Sequence, residues 1–550
     1  MQDNLVQIRR ASHTHPVLDK AATSGVRRRV YIQTVGCQMN VLDSELVAGD
    51  LLQAGHELVD SVRQADTVLL NTCSVRQHAE DKVYSALGRL KEIKDRRPGM
   101  IIGVLGCMAQ KDQHQILKRA PYVDLVVGPG QLGQVPMLLT QIVAGAGPQI
   151  ELSLDRTGGS RASVAESFVH FEPHRTAQTR AVAQQAMVRI MFGCDKFCTY
   201  CIVPRVRGPE QSRPAAEIIE EVQRLADDGC LEITLLGQTV NSYCDASGPT
   251  PIRLADLLYR LHDIEGIRRL RFVTNYPKHM TDDLLTAMRD LPKVSPYLHV
   301  PAQSGSNSVL QRMKRGYTVE AYREMLARIH AKIPQAAVTS DFIVGFCGET
   351  EDEFQQTVDL VRDARFKNSF IFKYSTRPGT KAAELFSDDI PESVKRRRNN
   401  DLLAVQNAIC LEDNQPFFGR TVEILVEGPS KVAKKRHPKG GSASSLLKKG
   451  TGSERIAANA AENRGREAPV PLFQQAAGNA PDTNPATPPP CPSANAEATA
   501  DQEEVVQLVG RTTCDRIVVF DGPRSLAGRI LPVMIEKVDA FTLFGRVVAD

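Results

Sequence analysis

The chain lacks long apolar runs. No stretch of its 550 residues reaches the eighteen or so consecutive apolar side chains that a bilayer-spanning helix needs. Residues 1–29 hold no apolar segment of the kind that drives secretion. The expectation is a cytoplasmic protein with no membrane partner, although an organellar home stays open because Arg9, Arg10 and Arg27 to Arg29 give this leader a basic character. An excess of one charge is also missing: 68 Lys and Arg stand against 64 Asp and Glu, so an acidic partner is allowed but not demanded. Cysteine, by contrast, is plentiful at twelve. In a reducing compartment that number points to metal or redox chemistry rather than to a disulfide framework.

Six of the twelve cysteines fall into two groups. Residues 30–34, 66–70 and 100–105 are short runs rich in Val, Ile and Leu, each followed by a helical pattern, and they read as parallel strands of an α/β unit. Cys37, Cys73 and Cys107 each follow one of these runs. Adjacent strands of an open parallel sheet share one crevice at their carboxyl ends. Three cysteines far apart in sequence are therefore expected to meet there.

The second group is Cys194, Cys198 and Cys201. Strand-like runs at 187–192, 232–236, 269–273, 297–300, 337–344 and 369–374 alternate with helical patterns such as 214–228 and 351–366. Repeated βα units make a parallel sheet that curves into a full or partial barrel, with chemistry on the loops after the strands. Those loops are polar or glycine-rich, as in Gly193-Cys194, Gly237-Gln238-Thr239 and Gln303-Ser304-Gly305. Turn and cap chemistry explains some of them. A structural zinc site would need four protein ligands. No partner motif follows Cys201, and His170 and His174 lie upstream in a presumed linker, residues 151–185. An iron-sulfur cluster normally takes four thiolates, so three would leave one iron open to bind something else. Cys230, Cys244, Cys347, Cys410, Cys491 and Cys514 show no ligand spacing and read as ordinary thiols.

Runs at 421–426, 505–509, 516–520, 528–535 and 545–548 suggest a small antiparallel β-barrel. An insertion at about 429–504, rich in Ala, Gly, Ser, Pro and Asn, interrupts it and cannot bury enough apolar surface to fold alone. Its Lys431, Lys434, Lys435, Arg436, Lys439, Lys448 and Lys449 either face solvent or add nonspecific RNA affinity. Residues 1–29 read as a disordered basic leader.

Cys194-x-x-x-Cys198-x-x-Cys201 directly after the first barrel strand, with Tyr200 ahead of the last cysteine, resembles the radical S-adenosylmethionine superfamily. Together with Gly36-Cys37-Gln38-Met39-Asn40, Asn71-Thr72-Cys73-Ser74-Val75-Arg76 and Phe417-Phe418-Gly419-Arg420, the chain resembles the methylthiotransferases from about Val30 onward. It looks most like the branch that modifies transfer RNA. Two other branches typically end the first motif in Pro-Lys-Asn or Lys-Val-Asn, where this chain has Gln38-Met39-Asn40.

The resemblance implies an α/β chain with a methylthiotransferase N-terminal domain at 30–150, a radical S-adenosylmethionine barrel at 186–412 and a TRAM RNA-binding barrel at 416–550. It implies two [4Fe-4S] clusters, one on Cys194, Cys198 and Cys201 and one on Cys37, Cys73 and Cys107, with S-adenosylmethionine as radical source and methyl donor. The implied reaction is methylthiolation at C2 of N6-isopentenyladenosine next to the anticodon of tRNA, with the second cluster in sulfur delivery. An external electron donor and a monomeric state go with it. For the cofactor, the resemblance points to Tyr200 at the adenine, to Gln238, Gln303 and Ser304 at the methionine or ribose end, and to Ile343 and Gly345 with Asp341 beside them. No residue is assigned a catalytic acid or base role. One departure is visible: the usual Gly-Phe-Pro-Gly-Glu is Gly345-Phe346-Cys347-Gly348-Glu349, which relaxes a loop and removes no ligand. Two alternatives stay open. One is a methylthiotransferase acting on threonylcarbamoyl-adenosine or on a ribosomal protein, and the other is a non-catalytic iron-sulfur RNA-binding protein.

Overall fold

The apolar run that opens the folded part of the chain becomes the strand Arg29–Val35 of a six-stranded, all-parallel sheet in a computed structural model. The structure describes residues 27–74, 77–152, 175–177, 179–436 and 504–548. The central strands Thr67–Thr72 and Ile101–Gly106 are buried along their whole length, because helices cover both faces. The helices Gln38–Gln53 and Val135–Val143 pack Val47, Leu51 and Leu138 against Leu69 and Leu105. The helix Gln77–Arg96 covers the other face with Val83, Leu87 and Leu90. Three shorter strands, Glu57–Leu58, Leu125–Val127 and Gln149–Glu151, extend the sheet beyond the three expected from sequence.

Register puts the cysteines level. Val35 pairs with Thr72 and Thr72 with Gly106, so the three strands end together one or two residues ahead of Cys37, Cys73 and Cys107. Residues 1–26 of the expected leader lie outside the described residues. Its last arginines are built into the sheet edge: Arg28 donates to the Asp66 carbonyl at 2.7 Å and the Gly99 carbonyl at 2.8 Å, and Arg29 begins the first strand.

The central region has two three-stranded parallel sheets. One holds Gln185–Arg189, Glu232–Leu236 and Arg269–Phe272; the other holds Tyr297–His299, Ala337–Val344 and Asn368–Lys373. A bridge between Leu270 and Val294 joins them, giving a partial barrel. The run expected at 187–192 breaks at Ile190, after which Met191–Phe192 pairs antiparallel with Gln211–Ser212. Between the sheet domain and this barrel, residues 153–174 and 178 lie outside the described residues. Arg175 and Arg180 of the expected linker are anchored: Arg175 is ion-paired to Glu45 and Glu221, and Arg180 to Asp228.

The helix Gln38–Gln53 also lies against the barrel, where its Met39, Leu42 and Leu46 pack on Leu236, Val273, Tyr297 and Ala337. That contact buries Asp43 and Glu45; Arg189 and Arg207 of the barrel pair with Asp43, and Arg175 just ahead of the barrel pairs with Glu45. A buried charge is tolerated only when it is paired.

The C-terminal strands Thr421–Pro429, Val505–Thr512, Ile517–Pro523, Ile530–Val538 and Thr542–Val547 close into a five-stranded barrel. The expectation of a purely antiparallel barrel needs one correction. Ile517 to Val519 pairs parallel with Thr542 to Phe544, and this pairing closes the ring. The first strand runs on to Pro429, and a short helix, Lys431–Arg436, follows it. Residues 437–503, which include Lys439, Lys448 and Lys449, lie outside the described residues.

Candidate cluster and cofactor site

The Gly-Cys pairs at the sheet edge are matched to tight spaces. A Cβ at Gly36 would stand 2.8 Å from the Cys73 Cβ, and one at Gly106, whose φ is +88°, would stand 2.9 Å from the Thr72 carbonyl. Buried amides lock the same corner: Asn71 donates to the Asn40 carbonyl at 2.9 Å and the Ser44 hydroxyl at 2.8 Å, and Asn40 donates back to Asn71 Oδ1 at 3.1 Å. Cys37 caps the following helix and donates to Asn40 Oδ1 at 3.2 Å. A hydrogen bond from Cys73, together with the Arg207 cation and Asn40, outweighs burial and Asp43 and brings the Cys37 thiol down to about 6. Burial raises the Cys107 thiol, with Arg207 opposing it.

The second triad sits on the loop after the first barrel strand. Gly193, at φ +69°, turns the chain where any side chain would collide with the Pro209 carbonyl. The Cys194 N–H then donates to the Gly208 carbonyl at 3.1 Å and the Cys201 N–H to the Cys198 carbonyl at 3.0 Å. The buried Arg315 holds this loop from behind. Its Nη1 donates to Cys198 Sγ at 3.3 Å and to the Tyr200 hydroxyl at 3.5 Å, its Nη2 to the Pro301 carbonyl at 3.1 Å, and its Nε to the Tyr317 hydroxyl at 2.8 Å. Burial pushes Cys194 up to about 11 and Cys201 up to about 12, so these thiols stay protonated until a metal displaces the proton.

Among the described residues no three Cys, His, Asp or Glu side chains converge on a single-ion site. Clusters are held differently, by several thiolates spread over several irons. Two all-sulfur donor sets, each with a buried arginine against a thiol, fit such groups.

A cavity of about 1300 Å³ connects the triads. Cys37 and Cys73 of one triad, Tyr200 and Cys201 from the loop of the other, and Arg511, Asp515 and Arg516 of the C-terminal barrel all line it. Of the residues that the resemblance pointed to, Tyr200, Gln303, Asp341 and Ile343 line this cavity. Gln303 is held at φ +73°, an uncommon conformation for a side-chain-bearing residue, and is knitted to the neighbouring strand through the Asp341 carbonyl at 2.8 Å and the Ile343 N–H at 2.9 Å. Ser304, Gly345 and Gln238 are not in the lining. The Ser304 hydroxyl faces Thr357 at 3.3 Å and the Ser306 N–H at 3.2 Å. Gly345 donates its N–H to Glu349 and packs under the Lys395 stem. Gln238 buries an Oε1 that has no hydrogen-bond partner among the described residues, leaving an acceptor to be satisfied.

Sequence reasoning missed two sets of cavity residues. His299 ends its strand on the cavity wall, 3.0 Å from the Thr339 hydroxyl and 3.4 Å from Asp341 Oδ2. Its place just ahead of the polar Pro301 to Ser306 loop was the available signal. The other set is a buried charge cluster in which Asp515 meets Arg271 at 2.6 Å, Arg511 at 3.0 Å and Lys367 at 3.2 Å. Burial would raise the Asp515 carboxyl, but these three cations hold it well below the usual range.

Barrels of this kind work through the loops at their strand ends, and three thiols on the first such loop, with Cys201 opening on a cavity, place the chain in the radical S-adenosylmethionine class of enzymes. Family models agree: residues 188–361 match the Radical SAM superfamily, residues 29–128 the Uncharacterized protein family UPF0004, and residues 505–548 the TRAM domain. A tRNA-2-methylthio-N(6)-dimethylallyladenosine synthase of Rhodopirellula baltica is 52% identical over 94% of this chain and 95% of its own length. The protein of the same name from Acidovorax sp. is 40% identical over 95% of this chain and 98% of its own. Among solved structures, a radical S-adenosylmethionine methyltransferase, TsrM, from Kitasatospora setae aligns at 14% identity over 65% of this chain and 77% of that one, with a TM-score of 0.47. The chain belongs to the tRNA-2-methylthio-N(6)-dimethylallyladenosine synthase family.

Proposed function

We propose that this enzyme places a methylthio group on C2 of N6-isopentenyladenosine next to the anticodon of tRNA, using S-adenosylmethionine, two [4Fe-4S] clusters and an external electron donor, as a cytoplasmic monomer. Among the described residues no helix is long and apolar enough to cross a membrane. The observation that carries the reading is the shared cavity, in which thiols of both triads and the C-terminal barrel face the same space.

In this reading Cys194, Cys198 and Cys201 hold one cluster and Cys37, Cys73 and Cys107 the other. When bound, the first cluster and S-adenosylmethionine supply the one-electron chemistry that an aromatic C–H demands and acid-base groups cannot provide. Tyr200 and Ile343, with Asp341 beside them, orient the adenine of the cofactor, and Gln303 its methionine or ribose end. Cys37, open to the cavity, presents the sulfur-delivery triad to the same space as Cys201. The target base reaches this depth only if it is splayed from its stack. Cationic side chains of the C-terminal barrel then meet the RNA backbone at the rim.

Nucleoside analysis of tRNA tests the proposal. A strain deleted for this gene is expected to lose 2-methylthio-N6-isopentenyladenosine and accumulate the unthiolated nucleoside, with recovery on complementation. Unchanged 2-methylthio-N6-isopentenyladenosine in the deletion strain refutes it.

A further inference from the structure

The short stretch from Cys201 to Arg207 belongs to both triads. Cys201 is a member of the barrel triad, while Ile202 and Val206 pack directly on Cys107 of the other. The helix Val203–Val206 ends at Arg207, which is 2% exposed. Arg207 Nη2 donates to Asp43 Oδ2 at 2.7 Å, across the boundary between barrel and N-terminal sheet domain. Asp43 is fully buried and takes a second, longer ion pair from Arg189 at 3.5 Å. The guanidinium also faces Cys107 and Cys37. Its buried Nη1 has no close hydrogen-bond acceptor among the described residues, and the group's nearest side-chain hydrogen-bond contact beyond Asp43 is the Cys107 thiol.

A buried ion pair contributes little net stability, and apolar side chains could replace it. What they could not supply is a fixed positive charge and further N–H donors beside two of the three thiols. A buried N–H without a partner is costly, and sulfur of a bound cluster is a suitable acceptor. We propose that Arg207 is a positioning residue for the sulfur-delivery triad: it balances the charge of the cluster on Cys37, Cys73 and Cys107 and so sets its reduction potential. Because Arg207 comes from the barrel, that site is complete only when the two domains are docked. The inference rests on the reading that this triad holds a cluster.

The test uses the full chain with Cys194, Cys198 and Cys201 replaced by Ala, so that only the second cluster contributes, reconstituted anaerobically and titrated with dithionite under electron paramagnetic resonance. Adding Arg207→Gln removes a cation and moves the midpoint potential to more negative values. Adding Asp43→Asn removes the opposing anion and moves it the other way, while Arg207→Lys stays near the parent. Opposite shifts at retained iron content support the assignment, since a purely structural role would not produce them. Where Arg207→Gln alone loses iron, a positive shift in Asp43→Asn with Arg207→Lys near the parent still supports it. Shifts of the same sign, no shift, or loss of iron from both variants overturns it. If the Cys-to-Ala parent binds no iron at all, the two-cluster reading beneath the proposal is what fails.

Discussion

Asp515 joins the C-terminal barrel to the radical barrel, and Asp515→Asn measures how much that joint matters. Its carboxylate serves Arg271, Arg511 and Lys367, and none of the four side chains is more than 22% exposed. The residue sits at φ +65°, a conformation that Asn tolerates as well as Asp does, so the substitution removes charge while sparing the backbone. Two of the cations keep other partners, Arg271 with Glu232 at 3.6 Å and Arg511 with Glu427 at 3.0 Å. Lys367 is left with only its hydrogen bond to the Asp515 carbonyl in this cluster, and burial already lowers its pKa. Removing one partner of a buried ion pair costs about 3–5 kcal/mol; with two of the three cations still paired, the expected loss is near the lower end. Calorimetry is expected to show the transition of the C-terminal barrel moving down and separating from that of the radical barrel. Lys367→Met in the Asp515→Asn background is expected to recover part of the loss. Because the folded carboxyl is depressed, its contribution is present above the unfolded value of about 4 and disappears as pH falls through the folded one. A change within about 0.5 kcal/mol at neutral pH, as for an exposed pair, refutes the reasoning.

Other positions carry shorter predictions. Burial raises Asp50 to about 7, and its Oδ2 has no hydrogen-bond partner among the described residues. The folded state therefore binds the extra proton, stability falls by up to about 1.4 kcal/mol per unit as pH rises from 4 to 7, and Asp50→Asn flattens that slope in thermal unfolding; parallel curves contradict it. Gly106→Ala forces a side chain into φ +88° against Asn71, at a cost of about 1–3 kcal/mol, and is expected to lower iron bound at the N-terminal triad with iron at the barrel triad unchanged. Arg315→Lys keeps a charge but loses the fork that reaches Cys198, Tyr200, Pro301 and Tyr317 together. Outer-shell losses of this kind cost about 10–100-fold, so 5′-deoxyadenosine formation should drop by that factor, and an unchanged rate refutes the role.

What the sequence made legible is what is local. A run of β-branched residues ending in Gly-Cys declares both a strand and its exit, so 30–34 and 100–105 fall within a residue of the strands Arg29–Val35 and Ile101–Gly106. Alternation and turn residues likewise locate the five strands of the C-terminal barrel, but they carry no information on pairing direction, and the parallel pair at Ile517 stayed hidden. Strands of two or three residues, such as Glu57–Leu58, are too short to show any period. The cavity wall was least legible, for a physical reason. Asp515 meets Arg271, Arg207 meets Asp43, and Arg175 meets Glu45 across more than a hundred residues each, and a lone charge reads as solvated surface until its partner is known. These pairs lie where domains meet, and the cavity lies there too. A reaction that brings a radical source, a sulfur donor and an RNA base together needs three surfaces in one space. Its site is therefore built from contacts between domains, whereas the cysteine triads that name the chemistry are each written within a single domain.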